Sequence, residues 1–355
     1  MTLEFRNVVK RRGAETMIHE CSFTLDPSGF NILLGATNAG KTTLIKLMAS
    51  LDRPTAGEIW FNGRNVTGLA TQKRNISLVH QFFVNYPHMS VFDNIASPLR
   101  VARRPAAEIR RKVEETAHLL KLEPFLQRRP SELSGGQQQR TALARALVKE
   151  SDLVLLDEPL VNLDYKLREE LRDELPRLFA GRHAMVVYAT SEPTEALMLG
   201  GRTATIWEGR VTQVGDTAAV YRRPDNLDTA RVFSDPPINT APVVKSDRVI
   251  RLSTSASWPA TGEIATAPDG DYVVAVRPHF VLPAAGGGTS VSVTGKVLIT
   301  ELSGSESTAH FEFDGRTWVS QSHGVHSYQV NDVLEFHIDT SGCLYFRPDG
   351  SHVSG

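Results

Sequence analysis

The chain has 355 residues, of which 41% are hydrophobic and 22% charged, and its 39 Lys and Arg side chains nearly balance its 40 Asp and Glu side chains. A net charge of −1 argues against a nucleic-acid-binding protein, because such proteins usually carry a basic excess. No apolar run approaches the roughly 20 residues of a bilayer span, so membrane contact is expected to go through partner proteins. The two cysteines, Cys21 and Cys343, form no metal or disulfide pattern and fit a reducing cytoplasmic setting.

The length predicts about two domains, and the sequence pattern changes near Asp235. Residues 1–235 alternate short apolar runs with helical patterns, which predicts an α/β domain with a mixed sheet. Residues 236–355 contain strand and turn signals with almost no helical periodicity. This second part is predicted to be a small all-β barrel or sandwich.

The first domain opens with the elements of a βαβ unit. Residues 31–34 are typical of a buried strand, and residues 42–50 of the helix that follows it. Residues 58–66 predict a hairpin, because Asn62-Gly63 supplies the two positive-φ residues of a type I′ turn. An antiparallel piece is therefore expected beside the parallel sheet.

Two further regions have recognisable periodicity. Apolar residues recur at three- and four-residue steps between positions 106 and 122, which predicts an amphipathic helix within a helical insert spanning about 90–130. Beyond the boundary, residues 311–319 predict a hairpin through Asp314-Gly315. Residues 333–346 predict a second hairpin through Ser341-Gly342.

One segment fits the phosphate-loop pattern G-x-x-x-x-G-K-[ST] in the required setting, after a strand and at the start of a helix. Its residues are Gly35, Ala36, Thr37, Asn38, Ala39, Gly40, Lys41 and Thr42. Lys41 is expected to reach the β- and γ-phosphates and Thr42 a Mg²⁺ ion, and Thr43 completes the predicted nucleotide-binding set. Asn38 stands where many such loops have glycine, and asparagine tolerates left-handed backbone geometry. The alternative is a chance match on a glycine-rich turn.

Residues 153–158 form an apolar run that ends in two adjacent carboxylates, Asp157 and Glu158. A buried parallel strand brings such side chains to the edge of the sheet where nucleotides bind. Asp157 is expected to hold Mg²⁺, and Glu158 to polarise the water that attacks the γ-phosphate. Acidic residues also end many strands at solvent, so this pair indicates a nucleotide site only in combination with the phosphate loop.

A two-glycine turn opens a helix shortly before that strand and builds a second anion-binding helix terminus. The segment reads LSGGQ, and its predicted nucleotide-binding residues are Ser134, Gly135, Gly136 and Gln137. With the phosphate loop, Gln81, the carboxylate strand and the Leu163-Asp164 turn in this order, the sequence resembles the nucleotide-binding subunits of ATP-binding-cassette transporters. The resemblance covers about residues 5–235.

This resemblance implies a head-to-tail dimer, in which each ATP lies between the phosphate loop of one subunit and the Ser134-Gly135-Gly136 turn of the other. Gln81 matches the family's Q-loop glutamine, which contacts Mg²⁺ and the attacking water and links them to the helical insert. ATP and Mg²⁺ are therefore the expected ligands.

Other segments are similar to one branch of the family. Residues 86–95, YPHMSVFDNI, resemble the YPHMTVYEN stretch of carbohydrate-importer ATPases, and residues 159–164, PLVNLD, resemble their PLSNLD turn with Val161 in place of serine. With a β extension, this indicates the maltose and glycerol-phosphate importer type. The extension would be a TOBE domain, whose RPE and LGSE segments residues 277–279 and 302–306 loosely resemble.

Two positions depart from the family. Arg12 stands near the place where members usually have an aromatic residue that stacks on adenine; an arginine plane can stack on a base, or Arg12 simply points to solvent. Ser191 replaces the switch histidine that bridges the γ-phosphate and the catalytic carboxylate. Ser191 thus joins Glu158 and Gln81 in the predicted catalytic set. The surrounding sequence is most similar to the glycerol-importer branch, in which paired, non-identical ATPases occur.

The sequence therefore predicts an ATPase subunit of an importer for a carbohydrate or polyol, with glycerol or a sugar as the guess, peripheral at the cytoplasmic face of the membrane. Its expected partners are a second, non-identical cassette ATPase, two permease subunits and a solute-binding protein, without nucleic acid. The alternative is a mainly regulatory, architectural ATP-binding subunit of a heterodimeric importer. A soluble cassette ATPase acting on DNA or ribosomes is disfavoured by the neutral charge and the β extension.

Overall fold

The computed structural model describes residues 1–26, 29–82, 84–161, 163, 165–181, 183–285 and 289–353. It divides the chain into two compact units, Met1–Val220 and Tyr221–Gly355. None of the helices in the described part of the chain is long and apolar enough to cross a bilayer.

The first unit is an α/β domain. Its strands are β1 (Leu3–Arg12), β2 (Glu15–Leu25), β3 (Phe30–Gly35), β4 (Ala56–Phe61), β5 (Arg64–Asn65), β6 (Ile76–Val79), β7 (Leu153–Asp157), β8 (Met185–Thr190), β9 (Arg202–Trp207) and β10 (Arg210–Asp216). Its helices are α1 (Lys41–Met48), α2 (Val91–Val101), α3 (Ala106–Leu119), α4 (Gly135–Val148), α5 (Tyr165–Phe179), α6 (Pro193–Leu199) and α7 (Thr217–Arg222), which runs across the division. The predicted helical insert thus contains α2 and α3.

Two sheets form the frame of this unit. The larger has the strand order β10-β9-β3-β8-β7-β6, and β3, β6, β7, β8 and β9 run parallel to their neighbours while β10 pairs antiparallel with β9. The other, antiparallel sheet has the order β2-β1-β4-β5. Asn62 and Gly63 have φ of 50° and 73° between β4 and β5, so the predicted hairpin is present.

Apolar side chains explain why the parallel strands lie in the middle. Every residue of β3, β7 and β8 is buried, which is the pattern of strands covered on both faces. Leu33 of β3, Leu155 of β7 and Val187 of β8 belong to one core that also includes Leu44 and Leu47 of α1. This packing holds α1 against the sheet directly behind the phosphate loop.

The second unit is almost entirely β. Its strands are β11 (Asn239–Ser246), β12 (Val249–Arg251), β13 (Ser257–Pro259), β14 (Gly270–Val276), β15 (Val281–Leu282), β16 (Ser290–Leu302), β17 (Glu306–Phe313), β18 (Arg316–His323), β19 (Val333–Asp339) and β20 (Cys343–Phe346), with short helices α8 (Leu227–Val232) and α9 (Glu263–Thr266). The sheet orders are β13-β12-β11-β14-β20 and β15-β19-β16-β17-β18. Ile250 and Trp258 of one sheet share a core with Phe311, Trp318 and Phe336 of the other.

One predicted hairpin of this unit is present and the other is wrong. Asp314 and Gly315 have φ of 51° and 68° and join β17 to β18. By contrast, β19 pairs with β15 and β16, whereas β20 pairs with β14 in the other sheet. The connection is a 3₁₀ turn, Thr340–Gly342, which leads the chain from one sheet to the other and does not reverse it as a type I′ turn would.

The first residues of the second unit are tied to the last described ones. Asn226 forms an antiparallel bridge with Ser351, and the Leu227 amide donates to the Gly350 carbonyl at 2.9 Å. Leu227 and Ala230 of α8 pack with Ala275 and Phe346. Residues just before the predicted boundary at Asp235 therefore pack with the β unit, and that boundary stays a prediction.

Candidate functional site

The sheet order brings three strand ends to one edge. Strand β8 lies between β3 and β7 and runs parallel to both, with Thr190 opposite Leu34 and Asp157 opposite Ala189. Because parallel strands present their carboxyl ends at the same edge, the residues that follow them meet there. The phosphate loop, the Asp157-Glu158 pair and Ser191 therefore converge, although they are far apart in the sequence.

The phosphate loop has a backbone that tolerates little change. A Cβ at Gly35 would lie 2.5 Å from the Ile206 carbonyl oxygen, and Gly40, which caps α1, has a φ of 113°. Asn38 has a φ of 67°, the left-handed conformation that asparagine was expected to tolerate. Ala36, Thr37 and Asn38 are exposed, Ala39 is buried, and Thr43 is half-buried in the first turn of α1.

Lys41 supplies the positive charge of the site. The side chain is buried, and its Nζ forms an ion pair with Glu158 Oε1 at 2.9 Å. The same ammonium donates to the carbonyl oxygens of Gly35 at 2.8 Å and Ala36 at 2.9 Å. A buried ammonium with these partners sits where the loop would hold phosphate groups.

Thr42 and Asp157 form a pair of hard oxygen donors. The Thr42 hydroxyl donates to Asp157 Oδ1 at 3.1 Å, and Asp157 is 1% exposed. Burial raises the pKa of Asp157 above its ordinary value, against the opposing effects of the Thr42 hydrogen bond and of His80 and Lys41. A hydroxyl and a carboxylate suit Mg²⁺, which commonly takes its other ligands from phosphates and water. Within the described ranges no group of three or more His, Cys, Asp or Glu side chains could hold a metal ion.

Glu158 is held at the same edge by its backbone and its side chain. Its φ is 46°, and its amide donates to the Ala189 carbonyl at 3.0 Å. Gln81 donates through Nε2 to Glu158 Oε2 at 3.3 Å. The carboxylate therefore contacts Lys41 on one oxygen and Gln81 on the other. The structure brings together Lys41, Thr42, Gln81, Asp157 and Glu158.

The signature turn is a separate, open surface at the start of α4. Ser134 caps the helix: the Gln137 amide donates to its hydroxyl at 3.4 Å, and its own amide donates to Gln137 Oε1 at 3.1 Å. Ser134 and Gly135 are exposed, whereas Gly136 is buried. A Cβ at Gly135 would meet no atom within 4 Å.

The remaining predicted residues differ in how they are placed. Ser191 is half-buried and directly follows β8. Arg12 is exposed at the end of β1, opposite Glu15 in the β1–β2 hairpin. Asp164 of the predicted Leu163-Asp164 turn lies outside the described residues.

A group of polar side chains beside Ser191 was not predicted from the sequence. Thr190 donates its hydroxyl to Glu195 Oε2 at 2.5 Å, and Glu195 also pairs with Arg168. One sequence feature could have indicated the Thr190–Glu195 contact: Glu195 is a carboxylate in the first turn of α6, five positions after Thr190. The partner in α5 has no such local signal.

Comparison with known proteins gives a consistent result. The sequence pattern of the ABC transporter family matches residues 18–161. The chain is 35% identical to the sn-glycerol-3-phosphate import ATP-binding protein UgpC of Bordetella avium, over 99% of this chain and 95% of that protein. It is 30% identical to the oligosaccharides import ATP-binding protein MsmX of Bacillus subtilis, over 94% of this chain and 93% of that protein.

A solved structure agrees with the fold of the cassette. The dimeric post-hydrolysis state of the ATP-binding cassette MJ0796, bound to ADP and Pi, is 28% identical with a TM-score of 0.56, covering 61% of this chain and 98% of that chain. The predicted fold class, a phosphate-loop cassette followed by an all-β domain, is confirmed. The chain therefore belongs to the ABC transporter family, as an ATP-hydrolysing cassette.

Proposed function

We propose that the protein hydrolyses ATP to energise an importer for a carbohydrate or polyol. The observation that carries this proposal is the convergence of Lys41, Thr42, Gln81, Asp157 and Glu158 at one edge of the sheet. The solute class is supported by similarity to import proteins for oligosaccharides and sn-glycerol 3-phosphate, which extends over nearly the full length of the chain.

Each of these side chains is assigned one task. Lys41 binds the β- and γ-phosphates, while Glu158 accepts a proton from the water that attacks the γ-phosphate. Phosphate oxygens compete with Glu158 for the Lys41 ammonium, which leaves the carboxylate with Gln81 and the water. Thr42 and Asp157 would hold Mg²⁺, which when bound neutralises charge on the phosphate oxygens.

A complete site needs a second cassette. The exposed Gly135 lies in the first turn of α4, where backbone amide groups favour binding of an anion. We assign this turn to the ATP held by the phosphate loop of a partner subunit. We also assign Arg12, which is exposed at the end of β1, as a candidate contact for adenine.

The segment after Gln81 is the proposed contact with the membrane-spanning subunits, at the cytoplasmic face of the membrane. Phe82, Val84 and Tyr86 are 73%, 61% and 48% exposed, an unusual density of exposed apolar side chains. Arg145 of α4 donates to the Val84 carbonyl and lies 5.1 Å from the ring centre of Tyr86. A force on this segment would therefore reach the helix that begins at the signature turn.

The serine at position 191 predicts that the two ATP sites of the transporter hydrolyse ATP at unequal rates. A serine hydroxyl is shorter than imidazole, carries no charge near neutral pH and offers one hydrogen. Loss of one preorganised donor to a developing anion can cost on the order of 10²–10³ in rate. The site with this chain's own phosphate loop is therefore expected to be slow, and the second cassette to be a non-identical chain that uses this chain's signature turn.

The test is to purify the transporter by a tag on this chain and to identify its ATPase subunits by mass spectrometry. Two permeases, a solute-binding protein and a second, different cassette are the expected partners. Ser191→His should raise the turnover of labelled ATP, and an uptake assay with a panel of sugars and polyols identifies the solute.

Two outcomes would contradict this proposal. A homodimer with fast hydrolysis that Ser191→His does not raise would contradict the unequal sites. ATP binding without any hydrolysis at this chain's own phosphate loop would leave the chain a regulatory subunit.

A further inference from the structure

A buried carboxylate lies beside the end of β8. Glu195 is 3% exposed, and its Oε2 accepts hydrogen bonds from the Tyr188 hydroxyl at 2.9 Å and the Thr190 hydroxyl at 2.5 Å. Its Oε1 lies 3.2 Å from Arg168 Nε of α5. Because an unpaired buried carboxylate is very costly, these three donors fix where the Glu195 side chain lies.

The donors come from two different elements. Tyr188 and Thr190 belong to β8, and Arg168 lies on α5, so Glu195 joins the end of the strand to that helix. Burial, and next the charge of Glu195, raise the pKa of Tyr188 well above its ordinary value. The phenol therefore remains a donor across the physiological pH range.

The residues on both sides of Ser191 are part of this arrangement. The Glu192 amide donates to the Thr190 hydroxyl oxygen at 3.0 Å, and the Glu192 carboxylate pairs with Arg168. The backbone is thus held immediately before and immediately after Ser191. A shift of Glu195 would be transmitted to Ser191 through Thr190.

Thr190 is also excluded as a substitute for the missing histidine. A threonine hydroxyl has one hydrogen, and Thr190 donates it to Glu195. No hydrogen remains for a phosphate oxygen. Among the two hydroxyl residues at the end of β8, Ser191 is left as the donor.

We propose that Glu195, held by Arg168, is a positioning residue that directs the Ser191 hydroxyl to the γ-phosphate. The inference rests on the proposed function, since it concerns the same ATP site. It assigns the slow site a defined donor and explains how a short side chain is kept in place. A purely structural role for the Glu195 network is the competing explanation.

The test is a double-mutant cycle in this chain with Glu195→Gln, Ser191→Ala and the double variant. It uses the purified complex with the partner cassette, whose own catalytic carboxylate is changed to the amide so that only this chain's phosphate-loop site hydrolyses ATP. Glu195→Gln keeps the shape of the side chain but loses its charge. Single-turnover hydrolysis of labelled ATP should fall about tenfold in each single variant. The rate of the double variant should be no lower than that of the single variants, because both substitutions remove the same contact between the Ser191 hydroxyl and the γ-phosphate. ADP affinity should stay within about twofold in all three variants, since ADP has no γ-phosphate.

A second pair of variants keeps the test valid if Glu195→Gln folds poorly. Thr190→Val removes the hydroxyl at constant shape and should reproduce the tenfold loss, whereas Thr190→Ser should restore the rate. Glu174→Gln is the matched control. Glu174 lies on α5, as Arg168 does, but it pairs with Lys121 and not with Glu195. It should leave hydrolysis unchanged.

The outcomes separate this inference from the proposed function. Losses that multiply in the double variant, or a Thr190→Val rate equal to wild type, overturn the positioning role while the ATPase assignment stands. If the same complex with this chain unmutated binds no ATP, or hydrolyses none in single turnover, both are overturned.

Discussion

The phosphate loop and the signature turn are both glycine-containing turns at helix N-termini, yet they differ in what surrounds them. At Gly35 an added Cβ would lie 2.5 Å from a backbone oxygen of the same chain, whereas at Gly135 it would meet nothing within 4 Å. Lys41 is buried among its own loop and Glu158, whereas Ser134 is exposed.

This difference shows which half of the site a single chain completes. The contacts that require glycine in the phosphate loop are present within this chain. At Gly135 the chain itself leaves room for a side chain, so a requirement for glycine there must come from another molecule. The two turns thus allow separate tests of what one chain supplies and what its partner supplies.

The largest effect is expected at the carboxylate of the phosphate-loop half. Glu158→Gln keeps the size of the side chain and removes the proton acceptor, so ATP hydrolysis at this chain's own phosphate loop should fall by about 10²–10⁴. Nucleotide should still bind, and size-exclusion chromatography with ATP and Mg²⁺ should show a stabilised dimer or complex. Glu114→Gln, a change on the exposed face of α3, is the control. Unchanged turnover together with no stabilised dimer would rule out this role.

Removing the cation of the phosphate loop should affect binding first. Lys41→Ala deletes an ammonium from a buried site. Because a hydrogen bond to a charged group contributes about 1.5–3 kcal/mol, the ATP affinity should fall by about 10- to 100-fold. Titration calorimetry measures this loss. Lys73→Ala on a surface turn serves as the control, and equal affinities for all three proteins would refute the site.

The comparison of the two turns becomes sharpest with one alanine in each. Gly35→Ala forces a backbone clash and should lower the free energy of unfolding by about 1–3 kcal/mol, seen as a lower midpoint in thermal denaturation. Gly135→Ala should leave that midpoint unchanged and weaken ATP-dependent association by about tenfold, about 1.4 kcal/mol. If Gly135→Ala destabilised the isolated chain as strongly as Gly35→Ala, the distinction between the two turns would be wrong.

The smallest effect on ATP binding is expected from removing the β unit. A protein ending near Asp235 retains every predicted site residue, and its ATP affinity should stay within about twofold of the full-length value. Because Leu227 and Ala230 pack with residues of the β unit, ending the chain at Arg222 should give the more soluble protein. Calorimetry and light scattering compare the two, and loss of ATP binding in both would contradict the independence of the first unit.

The sequence was sufficient to locate the segments of the site because each carries a local signal. The glycines and lysine of the phosphate loop lie within eight positions, and the apolar run before Asp157 identifies its strand. Pairings between segments had no such signal. Thr42 contacts Asp157 across 115 positions, and Gln81 contacts Glu158 across 77. Sheet order, which depends on packing of the whole unit, decides these contacts.

The wrong hairpin has the same cause. Ser341-Gly342 looks like a local turn, but β20 pairs with β14 of the other sheet and not with β19. The role of the buried Glu195 was not predicted, because the position of its side chain depends on an ion pair with Arg168, a residue of another helix. Local patterns predicted the elements, and long-range packing determined which of them meet.

The bridge between Asn226 and Ser351 has a consequence for biosynthesis. Strand β20 and the segment around Ser351 close the second unit, so this unit cannot finish folding until the segment around Ser351 has left the ribosome. The first unit, Met1–Val220, is complete well before that point, and at about 5–20 residues per second the interval is on the order of ten seconds. A nascent chain is therefore expected to present a folded ATP-binding cassette before its β domain exists.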